Sequence, residues 1–207
     1  GGVWLFSSAL SRSTAAGALG SDAFIVDSAG PLPKSVQFTP KGKGAISLAS
    51  GVQFGAGQVT TDAHGTTEFR QKDARYLLDR DSSIDIEKGN LKLTSGALFV
   101  RDDKHLVVDA GPAHVAGEGE AQLTVLPERT HVRVLRGFAD VTAEGRTERV
   151  EAGQEALIRD GRVEVASATG PSLRLSETKE KDEPSMALVG LGELVARKPG
   201  SKEERDG

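Results

Sequence analysis

The chain has 207 residues and no cysteine, and that absence removes several classes of chemistry together. Without thiols there is no disulfide, no cysteine-ligated zinc site, no iron–sulfur cluster and no thiol nucleophile. Aromatic residues make up only 4% of the chain, which leaves few rings for stacking on sugars. The most apolar stretch near the N-terminus is VWLFSSAL at 3–10, and it is much shorter than the about 20 residues of a membrane-spanning helix.

The chain also lacks an excess of positive charge, because its formal net charge is −4. A protein that binds a nucleic acid backbone usually presents a large basic surface to the phosphates. The sequence therefore predicts no nucleic acid partner. Its length suggests one domain or two small ones, with enough residues to bury a core.

What the chain does contain is glycine, at 25 residues, and short segments in which apolar and polar residues alternate. A period of two marks a strand with one buried face. No comparable window carries the apolar spacing of a helix. Alternation is clearest in five pairs: Ile84/Ile86, Leu91/Leu93, Leu123/Val125, Val132/Val134 and Val163/Val165. We therefore predict an all-β body of many short strands, stacked as a solenoid or a sandwich, with a short helix conceivable at the N-terminus.

Glycine spacing supports this prediction, because several glycines recur about every eight residues between strand-like segments. Such spacing leaves strands of about five residues, and glycine accepts the positive φ of a turn. The G-x-G at 55–57 has no helix pattern after it, so we interpret it as a turn and not as a phosphate-binding loop. The glycines predicted to form structural turns are Gly57, Gly65, Gly96, Gly137, Gly145, Gly153 and Gly161.

The organisation along the chain predicts three parts. Residues 1–21 form a juxtamembrane or linker segment, in which 3–10 is either the end of a truncated anchor or an apolar segment docked on the body. Residues 22–168 form the β domain. Residues 169–207 form a linker and C-terminal tail, in which 186–196 either docks back as a strand or leads into a further domain. We expect the chain to be the exported portion of a longer protein.

The sequence contains residues of two kinds that bind metals in other proteins, acids and histidines. The segment DRDSSIDIE places Asp79, Asp81, Asp85 and Glu87 at spacings similar to those of a calcium loop. Such a loop wants glycine at its sixth position and glutamate at its twelfth, where this chain has Ile84 and Asn90. An exposed polar strand face is the better interpretation. The histidines, at 64, 105, 114 and 131, lack zinc-site spacing. We predict no metal and no cofactor.

Catalysis is not predicted either. No G-x-S-x-G elbow presents a serine nucleophile, and the four histidines are scattered. We therefore name no catalytic residue and expect a protein that is not an enzyme.

The order of segments resembles the FecR-type periplasmic domain over roughly residues 50–165. The similarity follows GVQFGAGQVTTDAHGTTEFRQKDARYLLDRDSSIDI, then LKLTSGALFV, then LVVDAGPAHVAGEGEAQLTV, then VRVLRGFADVTAEGRTERVEAGQEALI. Two turn segments depart from the family pattern, at Lys72–Arg75 and Gly117–Leu123. The matching residues are Gly57, Val59, Thr61, Gly65, Ser83, Ile84, Gly96, Leu98, Val100, Val108, Ala113, Val115, Gly117, Leu123, Val125, Val134, Gly137, Val141, Gly153 and Gln154.

The resemblance implies a bacterial module in the periplasm or cell envelope, held by a membrane anchor and active in signalling. Typical members carry a cytoplasmic anti-sigma segment before one membrane helix and a receptor-signalling subdomain after the β part. Neither pattern is visible in these residues. The expected function is therefore a non-catalytic binding, signalling or scaffolding module. Two alternatives stay open: a module that binds cell-wall polysaccharide, and a structural spacer for a further C-terminal domain.

We expect the partner to be a protein that pairs its backbone with an exposed strand edge. Two apolar segments beside charged flanks are the candidates: Ala97–Arg101, with Ala97, Phe99 and Arg101, and 186–196, with Met186, Leu188 and Leu191.

Overall fold

The computed structural model describes residues 22–32, 34–169, 174–176 and 187–189, and in this part of the chain the regular structure is entirely β. The prediction of an all-β body is confirmed. The described ranges hold no helix long and apolar enough to cross a membrane. The chain divides into two compact units, residues 1–170 and 171–207. The strands of the first unit are β1 Phe24–Ala29, β2 Val36–Pro40, β3 Ile46–Ser47, β4 Gln53–Phe54, β5 Gly57–Thr61, β6 Thr67–Gln71, β7 Ala74–Leu78, β8 Ser83–Glu87, β9 Asn90–Ala110, β10 Ala113–Leu126, β11 Arg129–Ala143, β12 Arg146–Glu151, β13 Gln154–Arg159 and β14 Arg162–Ser167.

All 14 of these strands belong to one hydrogen-bonded sheet. Its main path runs β14-β13-β11-β10-β9-β7-β6-β1-β4. Strand β12 pairs with the C-terminal part of β11, from Phe138 to Ala143. A branch leaves the first part of β9 and runs through β8, β5 and β2 to β3. Each of these pairings is antiparallel. Strand β9 therefore changes neighbours along its length, from β8 to β7.

Three strands are much longer than the expected five residues: β9 has 21, β10 has 14 and β11 has 15. A straight strand of 14 residues would span about 45 Å. Gly111, just before β10, nevertheless lies so close to Val125, near the other end of β10, that an added Cβ would be 3.3 Å from Val125 Cγ1. The long strands must therefore fold back, and the sheet closes on itself as a two-layered sandwich.

The fold-back is located where Gly119 of β10 pairs with Gly137 of β11. Their φ angles are 107° and 78°, in the region that L side chains avoid. A Cβ on Gly137 would lie 2.1 Å from the carbonyl oxygen of Glu118, so a side chain has no space there. The register also slips on both sides of Gly119, as it does at β-bulges. We call this region the bend.

The predicted turn glycines fall into two groups. Gly65, Gly145, Gly153 and Gly161 lie in turns between strands, and Gly57 begins β5. Gly96 and Gly137 differ from the expectation, because both lie inside long strands with positive φ and mark bends instead of strand ends. Three two-residue hairpin turns have positive φ at both positions, the type I′ geometry that suits twisted strands: Lys88–Gly89, Glu144–Gly145 and Asp160–Gly161.

The core lies between the two layers and receives alternate side chains from both. Its densest part is a group of rings on the first strands, where Phe24 stacks on Phe54 at 5.5 Å and Phe69 stacks on Tyr76 at 5.2 Å. Beyond the bend, smaller side chains such as Val108, Val115 and Val141 fill the space. The second unit, taken by itself, contains a two-stranded antiparallel sheet of β15 Arg174–Ser176 and β16 Ala187–Val189.

Candidate interaction surfaces

A row of five side chains crosses the face of the sheet opposite the core. The backbone register places these residues side by side: Glu68 with Leu77, Leu77 with Phe99, Phe99 with Gln122, and Gln122 with Arg133. Their strands are β6, β7, β9, β10 and β11. In a strand, neighbours along the chain point to opposite faces. Because Leu98 and Val100 are core residues, Phe99 between them points outward. We call these five residues the outer row.

The apolar members of the outer row are almost inaccessible. Leu77 is 2% exposed and Phe99 is 3% exposed, yet neither belongs to the core cluster between the layers. Both faces of β7 and of the middle of β9 are therefore covered, unlike those of β8, where Asp85 and Glu87 are exposed.

Charged side chains border the outer row. On one side Arg70 Nη1 lies 3.2 Å from Asp27 Oδ1. Towards the bend, Arg101 Nε lies 3.4 Å from Glu120 Oε1, and Arg136 Nη2 lies 3.2 Å from the same oxygen. Arg136 also contacts Asp103. These partly exposed pairs form a polar rim around an apolar centre, an arrangement typical of interaction surfaces.

Glu68 is the buried acid of this surface, at 7% exposure. The pKa of Glu68 is raised from 4.5 to about 7, mainly by burial and also by the negative charge of Asp27, while Arg75 opposes the shift. A carboxylate loses hydration when it is buried, and this disfavours the charged form. The outer row therefore carries a group whose charge changes near neutral pH.

A second candidate surface is the free edge of β14. In the described part of the chain, β14 pairs only with β13, so one of its backbone edges has no partner strand. Val163 and Val165 pack partly against the core at this edge. Between and beyond them, Arg162, Glu164 and Ala166 are exposed. An added strand would find backbone groups to pair with and two half-covered valines to bury.

A groove of about 930 Å³ opens where several turns meet at one end of the sandwich. Leu126 at its wall is 39% exposed. Charges of both signs surround it, from Glu128, Arg129, Arg159 and Asp160. This mixed lining favours no single class of ligand.

The segment Ala97–Arg101 does not lie at a strand edge. Phe99 pairs with Leu77 of β7 on one side and with Gln122 of β10 on the other, and Arg101 likewise pairs on both sides. The expectation of backbone pairing through this segment is therefore wrong, because both of its edges are occupied. Phe99 contributes instead through its side chain, in the outer row. Of the other candidates, Leu188 lies in β16 opposite Leu175, whereas Met186 and Leu191 lie outside the described residues.

The four acids at calcium-loop spacing, Asp79 to Glu87, do not come together as a metal site. Within the described ranges no group of three or more His, Asp or Glu side chains could hold a metal ion. Asp85 and Glu87 project from the exposed face of β8, while Ile84 and Ile86 face the core. His114 has a different role, since its Nδ1 lies 2.7 Å from Oδ1 of Asp109 across the β9–β10 pair.

The importance of Glu68 and Leu77 did not follow from the alternation pattern. A signal was nevertheless present, since YLL at 76–78 and LFV at 98–100 are continuous apolar triplets. Such triplets are typical of strands covered on both faces. Two of them on neighbouring strands predict a covered outer face.

No protein-family model matches the sequence, and no curated protein matches it. Among solved structures, two crystal structures of a "putative anti-sigma factor" from Parabacteroides distasonis ATCC 8503 are similar to it. The sequence identities are 13% and 15%, and the TM-scores are 0.47 and 0.46. Each match covers 53% of this chain and spans 59% of that chain's length. At this level the likeness says nothing about what the present chain binds.

Proposed function

We propose that this chain is a non-catalytic binding module of FecR type in the cell envelope, the exported portion of a larger membrane-anchored protein. Its role is signalling or scaffolding through a protein partner, which adds a strand to the free edge of β14. The sequence pattern over residues 50–165 supports the FecR type and the envelope location. The observation that carries the binding mode is the edge itself, with Val163 and Val165 beside backbone groups that have no strand partner in the described residues.

The direction of the backbone groups on β14 follows from its hairpin. Asp160–Gly161 is a two-residue turn, so Arg159 and Arg162 form a hydrogen-bonded pair, and such pairs alternate along the ladder. The backbone groups of Glu164 therefore point to β13. Those of Val163 and Val165 point to the free edge, where a partner strand would bond to them.

A proline at Val165 tests this mode, because it removes an N–H group from the free edge and leaves the β13–β14 ladder intact. The matched control is Val165→Thr, which keeps both the N–H and the β-branched shape. A photo-crosslinking residue at Val163 in the full-length protein, expressed in its own cells, reports the partner as an adduct of defined mass. The same residue placed at Thr147, on the exposed β12, gives the background.

We expect an adduct with one envelope protein from position 163, lost with Val165→Pro and kept with Val165→Thr. Far-ultraviolet dichroism of each purified variant checks that the β fold is unchanged. An adduct that survives Val165→Pro would overturn the binding mode. If position 163 gives no adduct above background, the partner hypothesis fails and the structural spacer remains.

The polysaccharide alternative is not favoured by the geometry of the described residues. A sugar platform needs exposed rings, and here Phe24, Phe38, Phe54 and Phe69 lie in the core. Phe99 is buried in the outer row, and Phe138 is covered by Arg149, whose Cζ lies 3.7 Å from the ring centre. Binding of the purified chain to isolated cell wall, unaffected by Val165→Pro, would revive this alternative.

A further inference from the structure

Three arginines stand side by side on the face of the sheet that carries the outer row. The register pairs Arg70 of β6 with Arg75 of β7, and Arg75 with Arg101 of β9. Each of them is next in the chain to a core residue and therefore points outward; these core residues are Phe69, Tyr76 and Val100. We call the three residues the arginine row. Like charges directly opposite each other destabilise a sheet, so the row lowers the stability of the fold unless an anion lies beside it.

The strand geometry brings the three side chains within reach of one small ligand. The turn between β6 and β7 has two residues, so Gln71 and Ala74 form the hydrogen-bonded pair that closes the hairpin. The next pair, Arg70 with Arg75, is then a non-hydrogen-bonded pair, with Cα atoms only about 4.5 Å apart. Arg101 lies one strand further, so the whole row spans about 10 Å.

The acids beside the arginine row satisfy only part of it. Asp27 Oδ1 lies 3.2 Å from Arg70 Nη1, and Glu120 Oε1 lies 3.4 Å from Arg101 Nε. A guanidinium carries five N–H groups, so one carboxylate leaves several of them without an acceptor. Both of these arginine side chains are nearly half exposed. Arg75, between them, forms no salt bridge with the residues that the structure describes. The centre of the row is therefore a positive charge without a close counter-ion.

We propose that the arginine row binds a tetrahedral dianion, a phosphate or sulfate group, with Arg75 at the centre of the site and Arg70 and Arg101 at its flanks. The planar fork of a guanidinium matches such oxyanions in a bidentate manner. An anion with several oxygens bridges arginines on neighbouring strands and removes their mutual repulsion. The group comes either from a soluble phosphate or sulfate ester or from a lipid headgroup, and both present the same chemistry. This site goes beyond the proposed function and does not rest on the β14 edge.

Glu68 gives the site a dependence on pH. The charged groups around it are Asp27 from β1, Arg75 from β7 and Arg70 on its own strand, with Arg101 one strand further. Its charge acts on Arg75 and competes with a bound anion there. Because its pKa is about 7, this competing charge disappears as the pH falls below neutral. A dianion should therefore bind more tightly at pH 6 than at pH 8.

Sulfate is the better probe, because it stays doubly charged over this range, whereas a phosphate group titrates near pH 6. We expect sulfate, added to the 207-residue chain, to shift the nuclear magnetic resonance signals of the arginine Nε–H groups of the row in a saturable manner. Potassium chloride at the same ionic strength should not shift them. Arg75→Gln should weaken the affinity by about tenfold or more, since it removes charge-assisted hydrogen bonds. Arg101→Gln gives a second test, and far-ultraviolet dichroism checks that each variant is folded.

The matched control is Arg149→Gln. Arg149 is also half exposed on an outward sheet face and lies beside two acids, Asp140 and Glu151, but it has no arginine neighbour across the strands. This variant should bind sulfate as the parent chain does. The proposal is overturned if Arg75→Gln binds as tightly as Arg149→Gln, or if chloride shifts the same signals as sulfate.

Two further arms sharpen the assignment. The affinity for sulfate should fall several-fold from pH 6 to pH 8, and Glu68→Gln should remove this change; a pH dependence that persists in the variant would contradict the role of Glu68. Vesicles that contain phosphatidic acid, compared with vesicles of phosphatidylcholine alone, identify the source of the anion. Displacement of sulfate by the former supports the site with a lipid headgroup as its ligand, and retention of sulfate supports it with a soluble ester.

Discussion

Strand β9 passes through two environments that differ in what covers its outward face. Before the bend, outward-facing Phe99 is 3% exposed. Beyond the bend, the outward positions Val107 and Asp109 are half-buried, and the neighbouring strand places the exposed His114 opposite Asp109. The inward positions are buried in both parts. The same strand is thus inaccessible on both faces at one place and partly exposed on its outward face at another.

This difference teaches that burial alone does not locate the core of the protein. A residue such as Phe99 is almost as inaccessible as Leu98, but it does not belong to the core cluster between the layers. Removing the side chain of Phe99 therefore tests the outward face separately from the core.

The bend divides the two environments, and its glycines should give the largest effect. We expect Gly137→Ala to lower the free energy of unfolding by at least about 3 kcal/mol, because left-handed strain of about 1–2 kcal/mol adds to a backbone collision. Gly145→Ala is the matched control, since its φ of 77° is similar to the 78° of Gly137 and its Cβ would meet nothing within 4 Å. Urea unfolding of both variants measures the difference. Equal losses would show that the bend tolerates a side chain.

Truncation of the Phe99 ring should cause the second largest loss of stability. Phe99→Ala should cost about 3 kcal/mol, the lower end of the range for buried phenylalanine, because Phe99 lies outside the core cluster. Val107→Ala, on the half-buried outward face beyond the bend, should cost less than about 1 kcal/mol. Urea unfolding again provides the comparison. If both substitutions lower the free energy of unfolding by similar amounts, the outward face of β9 contributes equally before and beyond the bend.

Glu68 makes the covered face sensitive to pH. Its pKa in the folded chain is about 7, above the ordinary 4.5, so between these values the folded chain holds more protons than the unfolded chain. The free energy of unfolding therefore falls as pH rises through this window. Glu68→Gln removes the effect and should stabilise the protein by about 2 kcal/mol near pH 8, and hardly at all near pH 4.

Unfolding curves of the Glu68→Gln variant and the parent chain at both pH values measure this contribution. Glu148→Gln, at an exposed position on β12, controls for the loss of one negative charge. A gain that is the same at both pH values would contradict the assignment to Glu68.

The charged rim should give the smallest effect. Arg136→Met removes contacts to Glu120 and Asp103 but leaves the bend glycines in place. Because half of the Arg136 side chain is exposed, we expect a loss below about 1 kcal/mol that disappears in about 1 M salt. A larger loss that persists in salt would assign the rim a structural role in the bend.

The alternation of apolar and polar residues predicted the strands well where one face of the sheet is exposed to solvent. For β8, the buried Ile84 and Ile86 and the exposed Asp85 follow directly from a period of two. The pattern could not predict that Gly137 lies within a strand, because glycine with positive φ serves turns and bulges alike. Nor could local spacing show that Phe99 has neighbours on both edges, since strand order is fixed by contacts between distant residues.

The candidate sites followed the same division. The valines of β14 were recognised as a strand, but that the strand ends the sheet depends on the pairing of all the others. The raised pKa of Glu68 likewise depends on its burial and on the charge of Asp27, which lies on the neighbouring strand β1. The local sequence identified which residues are extended. It did not identify which strand edges stay unpaired, or which faces of the sheet point away from the core, once the sheet has closed.

The pairing of the strands also sets an order in which the molecule can assemble. From β9 to β14 most pairs join strands that follow one another in the chain, namely β9–β10, β10–β11, β11–β12 and β13–β14, and such hairpins close within microseconds. The N-terminal half has longer connections, as between Ile25 and Arg70, which need a larger loss of chain entropy before they form. When the complete chain refolds, the meander of its C-terminal half should therefore form first, and the aromatic strands β1 and β6 should pack onto it last.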